Sequence, residues 1–298
     1  MSERKTGVVL KGVGGNYDVI CGEEILRCRA AGRVRKSGPL VCGDRVSVQP
    51  TESGGYILER EPRRNSLVRP AVANIDQLVI LCSQAPPVTD PYLIDKVTVI
   101  ALRQGIRPII LLNKSDLDPS DALFDAYTKA GFPVLRASAA TGEGIEALRA
   151  LLPGKISAFT GNSAIGKSSI LNRLDERFAL PVGEMSEKIG RGKHTTRHVE
   201  LLRLENGGIV ADTPGFSSFD VDRMELMRKE DLQHCFREFA PYLDRCRFQD
   251  CAHVKEQGCA VLEALHQGKL QPTRHQSYVR LYEQAKAIPD WQRNKGQK

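Results

Sequence analysis

Gly161-Asn162-Ser163-Ala164-Ile165-Gly166-Lys167-Ser168 has the spacing GxxxxGK[ST] and follows an apolar segment, Lys155 to Thr160, that reads as a strand; a helix is expected to open at Ser169. In that setting the motif is a phosphate cradle. Its glycines let backbone N–H groups converge on phosphate oxygens, the helix N-terminus favours their charge, Lys167 reaches the β and γ phosphates, and the Ser168 hydroxyl ligates Mg²⁺. A phosphate cradle does not choose a base. Asn113-Lys114-Ser115-Asp116, at the end of another apolar run, does so. The Asp116 carboxylate can accept two hydrogen bonds from guanine N1–H and its exocyclic amine, whereas adenine offers an acceptor at N1 and has no 2-amino group. Taken alone, the same four residues also read as a polar strand-to-helix turn capped by Asp116. Ser138-Ala139, after a further strand, fits a loop whose backbone N–H meets guanine O6.

Asp212-Thr213-Pro214-Gly215 closes the strand Ile209 to Ala211; the aspartate would hold Mg²⁺ through water and the Gly215 N–H would sense the γ phosphate. Upstream, Gly190-Arg191-Gly192-Lys193-His194-Thr195-Thr196 is a glycine-rich polar segment from which a threonine hydroxyl can reach Mg²⁺, with Thr196 favoured over Thr195. The residues after Gly215 are Phe216-Ser217-Ser218, and an apolar phenylalanine cannot orient an attacking water. Slow intrinsic turnover follows, and His194 is the candidate to position that water when a partner docks. Its bland reading is a surface histidine in a loop.

A second chemistry lies near the C-terminus. Cys246, Cys251, His253 and Cys259 give C-x4-C-x-H-x5-C, four ligands suited to tetrahedral Zn²⁺ with no open position, hence a structural site. Cys235 and His234 are assigned to a helix as packing or surface residues. Cys21, Cys28, Cys42 and Cys82 lack ligand spacing and read as strand cysteines.

The elements that must position these groups fall into three parts: an all-β OB-fold barrel over residues 1–68, an α/β P-loop domain over 69–222, and a helical zinc-binding unit over 223–298. Short alternating stretches at Gly7 to Leu10, Tyr17 to Ile20, Asp44 to Val48 and Tyr56 to Leu58, separated by glycine turns, predict a small antiparallel barrel; the Arg33-Val34-Arg35-Lys36 run supplies a basic loop. Glu61 to Asn65 is polar and proline-bearing and reads as a linker. Continuous apolar runs from Gln77 to Cys82 and from Pro108 to Leu112 suit strands buried on both faces of a parallel sheet. After about Asp222 the spacing predicts helices at 228–242, 260–267 and 273–286, a unit too small for a large core unless a metal adds stability.

The chain has 298 residues, 41% hydrophobic and 27% charged, ordinary proportions for a globular protein, and no apolar run long enough for a membrane span. Its opening residues lead into a glycine-punctuated segment, so no secretory signal is expected and a cytoplasmic location with reduced thiols follows. The formal charge of +7 is uneven: residues 1–70 hold 13 Lys/Arg against 8 Asp/Glu and residues 223–298 hold 14 against 10, while the middle is slightly acidic. Basic flanks around a neutral centre point to outer domains that touch a polyanion, though solvated surface explains the same count.

The order of the motifs is unusual. Asn113 lies 48 positions before Gly161, whereas an ordinary GTPase places the phosphate loop first. Numbered in the usual order, the five GTPase motifs run fourth, fifth, first, second, third, a circular permutation that a parallel sheet tolerates because its strands keep their neighbours. With this order, the barrel, the entry residues Arg69-Pro70 and Asn74-Ile75-Asp76-Gln77 and the cysteine–histidine set, nearly the whole chain resembles the ribosome small-subunit-dependent GTPase A family of bacteria. Ala164 departs from it, standing where the family usually has glycine. The resemblance implies a GTPase that binds GTP and GDP, carries one structural Zn²⁺ and uses Mg²⁺. It further implies late maturation of the 30S subunit and contact with its 16S rRNA, with hydrolysis stimulated by the subunit. No membrane partner is expected, and a monomer is. The rival reading is an RNA-binding assembly chaperone in which the nucleotide is mainly structural.

Overall fold

The computed structural model describes residues 3–68, 71–178, 200–212 and 228–287. Strands β1 (Lys5–Val13), β2 (Asn16–Cys21), β3 (Glu24–Ala30), β4 (Arg45–Thr51) and β5 (Gly54–Arg60), with helix α1 (Gly32–Lys36) between β3 and β4, form a closed barrel in the order β1-β2-β3-β5-β4. The expectation of a purely antiparallel barrel is corrected here, because β3 and β5 pair in parallel. The reason is topological: a ring with an odd number of strands cannot alternate direction at every neighbour. Strand β3 was not anticipated from the sequence: Leu26, Cys28 and Ala30 alternate inward with Arg27 and Arg29 outward, but the run is short and the exposed Ile25 beside Leu26 interrupts the pattern. The basic run expected as a loop is α1, held by the burial of Val34 in the barrel core.

The segment expected as a linker is pinned on both sides. Arg63 makes a two-pronged ion pair with the fully buried Asp44 carboxylate, at 2.6 and 2.9 Å. The Asn65 amide exchanges two hydrogen bonds with the backbone of Ile75, and Asn74 Nδ2 donates to the Gly43 carbonyl. A short hairpin, β6 (Ser66–Val68) and β7 (Ala71–Ala73), leads into the central sheet. Cys42, expected in a strand, lies outside the named strands in a single bridge to Val72; Cys21, Cys28 and Cys82 are buried strand residues.

The central sheet is built from β8 (Gln77–Cys82), β9 (Arg107–Leu112), β10 (Val134–Arg136), β11 (Ile156–Gly161), β12 (Glu200–Arg203) and β13 (Ile209–Asp212), in the order β10-β9-β8-β11-β13-β12. All neighbouring pairs are parallel except β12 with β13. Period-2 side-chain alternation sends Leu78, Ile80 and Cys82 to one face, under α2 (Pro91–Arg103) and α3 (Asp121–Lys129). Val79 and Leu81 go to the other face, under α4 (Ile145–Arg149) and α5 (Lys167–Leu174). Helix α2 begins where the Asp90 carboxylate accepts from the Tyr92 N–H and Pro91 occupies the first turn. The barrel meets the sheet at its antiparallel edge, through Lys11 with Glu200 (2.7 Å) and Arg203 with Glu23 (2.5 Å).

The last part comprises α6 (Lys229–Leu232), α7 (Ala260–His266) and α8 (Pro272–Lys286), with 3₁₀ turns at Gln233–Cys235 and Arg237–Arg245. The single helix expected over 228–242 is broken: Phe236 leaves the helical region (φ −98°, ψ 86°) and Pro241 has no N–H to continue an α-helix. Phe236, Phe239 and Tyr278 stack within 5.0–5.4 Å of one another. The unit is fastened to α2 by a buried cation: Arg274 on α8 meets Asp95 at 2.5 Å and Glu238 at 2.7 Å, with Tyr127 donating to Asp95. Burial works to lower the Arg274 pKa, but the two carboxylates outweigh it and hold the guanidinium charged.

Replacing Arg274 by methionine strands two carboxylates in the interior, so Arg274→Met is expected to lose about 3–5 kcal/mol of stability. Denaturant unfolding of the purified variant checks this, with Lys5→Ala, which removes only an exposed pair with Glu24, leaving the midpoint unchanged.

Candidate functional site

Because β8, β9, β10, β11 and β13 are parallel, Cys82, Asn113, Ser138, Gly161 and Asp212 all arrive at the carboxyl edge of one sheet. The chain enters the sheet at β8, runs outward through β9 and β10, and returns to place β11 on the other side of β8. The crevice at such a reversal is where open α/β sheets bind ligands. The loop 161–168 leaves β11 there.

Backbone geometry explains the residue types in that loop. A Cβ on Gly166 (φ +95°) would lie 2.3 Å from Asn113 Nδ2, and one on Gly161 would lie 2.8 Å from the Leu81 carbonyl oxygen. Ala164 sits at φ +59°, a left-handed conformation that glycine adopts without strain. Asn162, Ser163 and Ala164 line the outer side of the loop, the last two exposed, while Ile165 is buried under the sheet. Lys167, Ser168 and Ser169 form the first turn of α5 and are half-buried.

Asn113 is itself buried and joins three segments. Its backbone N–H donates to the Cys82 carbonyl, its Nδ2 donates to the Ile165 carbonyl at 2.7 Å, and its Oδ1 accepts from the Ala139 N–H at 3.3 Å. Lys114, at φ +64°, reaches across to the Pro86 carbonyl at 2.5 Å. Asp116 is exposed, and its carboxylate has no partner among the described residues. Ser138 is buried, accepts from the Thr141 N–H through Oγ, and closes a tight loop through its carbonyl to the Gly142 N–H. Asp212 ends β13 one strand away. His194, Thr195, Thr196 and Gly215 lie outside the described residues, as do Arg69, Pro70 and Phe216 to Ser218.

These motifs come together although their order along the chain is rotated, and that arrangement has relatives. The model of the RsgA GTPase family matches residues 60–222, and that of the RsgA N-terminal domain matches residues 6–57. The chain belongs to the RsgA GTPase family. It is a GTP hydrolase with a permuted P-loop domain. The small ribosomal subunit biogenesis GTPase RsgA of Caldanaerobacter subterraneus subsp. tengcongensis is 43% identical over 290 residues, 95% of this chain and 97% of that protein. The protein of the same name from Ruminiclostridium cellulolyticum is 42% identical over 298 residues, covering 97% and 96%. Among solved structures, YjeQ from Thermotoga maritima matches with TM-score 0.81 and 32% identity over 96% of this chain and all of that one. YloQ, a circularly permuted GTPase, matches with TM-score 0.81 and 30% identity over 96% and 97%. No helix among the described residues is long and apolar enough to cross a membrane.

A second site is the cysteine–histidine set. The ligand atoms of Cys246, Cys251, His253 and Cys259 lie within 4.8 Å of one another. Cys246 and Cys259 sulfurs are 3.9 Å apart, and His253 Nδ1 is 3.6 and 3.4 Å from them. Tetrahedral metal bonds of about 2.3 Å to sulfur and 2.0 Å to nitrogen require about 3.8 Å between sulfurs and about 3.5 Å between sulfur and nitrogen, so the group fits a zinc-sized cation. Burial pushes the Cys251 thiol up to about 12 and raises Cys259, and it lowers His253, so the neutral forms persist until a cation compensates. Sequence reading missed what orients the histidine: Nε2 meets Gln233 Oε1 at 2.7 Å, which turns Nδ1 to the sulfurs. Nothing in a glutamine 20 residues upstream marks that role. The backbone beside the ligands is held by Tyr278 and His275, which donate to the Ala252 and His253 carbonyls.

Proposed function

We propose that this chain assists biogenesis of the small ribosomal subunit, hydrolysing GTP in response to docking on the subunit's 16S rRNA. The name that its relatives share supports the process, and the basic flanks and the barrel support contact with a polyanion. The observation that carries the nucleotide reading is Asn113, whose amide holds the phosphate loop against the loop at 138–143 while the neighbouring Asp116 carboxylate stays exposed for a base. In this reading Asp116 reads guanine from a segment that Asn113 and Lys114 hold in place, beside the loop that Ser138 and Ala139 open, and residues 161–169 cradle the phosphates. Mg²⁺ supplies charge neutralisation there, held by Ser168 and a switch threonine, Thr196 before Thr195, with Asp212 and Gly215 responding to the γ phosphate. His194 orients the attacking water once the partner is bound. The division into residues 1–68, 69–222 and 223–298, a single structural Zn²⁺ on Cys246, Cys251, His253 and Cys259, a cytoplasmic location and a monomeric state belong to the same proposal.

Two measurements test it. Multiple-turnover phosphate release should rise at least tenfold when purified small subunits are added, and His194→Ala should lose that stimulation while keeping nucleotide affinity; a chain that binds GTP but shows no turnover on the subunit supports the chaperone reading instead. Metal analysis should find one zinc per chain, and Cys251→Ala should fall well below that and unfold the helical unit at lower denaturant concentration. Full zinc content in that variant removes Cys251 from the ligand set.

A further inference from the structure

The loop after β10 accounts for its own backbone donors almost completely. The Ala139 N–H goes to Asn113 Oδ1, the Thr141 N–H to Ser138 Oγ, the Gly142 N–H to the Ser138 carbonyl and the Glu143 N–H to Thr141 Oγ1. Among these the Ala140 N–H is the donor without a described partner, and Ala140 is exposed. The carbonyl of the same peptide is held from behind: Arg173, on the phosphate-loop helix α5, donates from Nε to the Ala139 carbonyl at 2.9 Å and from Nη2 to the Ala140 carbonyl at 2.9 Å. In a trans peptide the C=O and N–H point in opposite directions, so fixing the Ala139 carbonyl toward α5 turns the Ala140 N–H away from α5. The loop is also tied to the segment 113–116, since Ser115 N donates to the Ala137 carbonyl and Ser115 Oγ to Glu143 at 3.0 Å. Arg149 on α4 caps the end of α5 by donating to the Arg173 and Leu174 carbonyls, which fixes the helix end from which Arg173 reaches.

We propose that Arg173 is a positioning residue for base recognition: its two-carbonyl grip orients the 138–143 loop so that the Ala140 N–H donates to guanine O6. This rests on the assignment of Asn113 and Asp116 to guanine. The fork geometry explains why an arginine suits the position, since a planar guanidinium presents two donors at fixed spacing to two successive carbonyls. It also gives the phosphate-loop helix a direct mechanical link to the base-reading loop, independent of Asn113. Arg173 is exposed, so its replacement leaves the core intact.

The test compares equilibrium binding of GDP with that of 2-aminopurine riboside diphosphate, which keeps the 2-amino group but lacks O6 and the N1–H, in the wild-type chain, Arg173→Ala and Arg173→Lys. Loss of the N1–H contact affects all three proteins alike and cancels in the comparison. Arg173→Ala should weaken GDP roughly tenfold, the scale of one oriented hydrogen bond, and leave the analogue within twofold, with Arg173→Lys recovering part of the loss. Equal weakening of both ligands, or of neither, overturns the role of Arg173 while leaving the base assignment standing. A wild-type chain that binds the two ligands equally overturns the base assignment and this inference with it. Thermal unfolding of each variant without ligand separates a loss of fold, which lowers the midpoint, from a loss of recognition, which does not.

Discussion

The side chain of Asn113 is buried at the crevice between β8 and β11, and both ends of its amide are used. Its Nδ2 donates to the Ile165 carbonyl, in the phosphate loop just before α5 begins, and its Oδ1 accepts from the loop after β10. A buried amide that loses either partner forfeits the desolvation cost of that group, about 1–3 kcal/mol, so the three loops are held in one arrangement rather than three independent ones. Gly166 is a consequence of this: any side chain there would occupy the space of the Asn113 amide. So is the tolerance of the fold to a rotated chain order. What the site requires is that β8, β9, β10 and β11 be parallel neighbours, and the connections between them can start anywhere in the cycle.

Much of this was legible because the chemistry constrains residue type at fixed spacing. The phosphate loop, the segment 113–116 and the cysteine–histidine set each need particular atoms at particular intervals, and the buried parallel strands announce themselves as unbroken apolar runs. What escaped reading is held by contacts between residues far apart in sequence. Arg274 sits 179 positions from Asp95, and neither has a local pattern that distinguishes a buried ion pair from a solvated helix face. Gln233 and Arg173 act through hydrogen bonds whose partners are backbone or a distant histidine. Strand β3 was hidden for a local reason: its alternation is short and an exposed Ile25 interrupts it. The segment 61–65 likewise read as a linker because its side chains are polar, although Arg63, Arg64 and Asn65 spend that polarity on fixed contacts with both neighbours.

The outer parts join the central sheet through two kinds of contact. The barrel touches the central sheet at β12, the strand paired with β13, whose last residue is Asp212. The helical unit grips α2, which packs on β8 and β9, through Arg274 and through Tyr92, whose hydroxyl donates to Gln284 at 2.7 Å. The barrel is thus joined to the sheet through charged, part-exposed pairs, whereas the helical unit is anchored by a buried cluster.

Asp116, three residues beyond the amide that ties this segment to the phosphate loop, is the residue proposed to read the guanine edge. Competition binding of GDP and xanthosine diphosphate to Asp116→Asn measures this directly. Xanthine replaces the 2-amino donor by a carbonyl, and an asparagine amide offers an acceptor to N1–H and a donor to that carbonyl. The account predicts that the preference reverses from GDP to xanthosine diphosphate. Retention of the wild-type preference and affinity for GDP would contradict it.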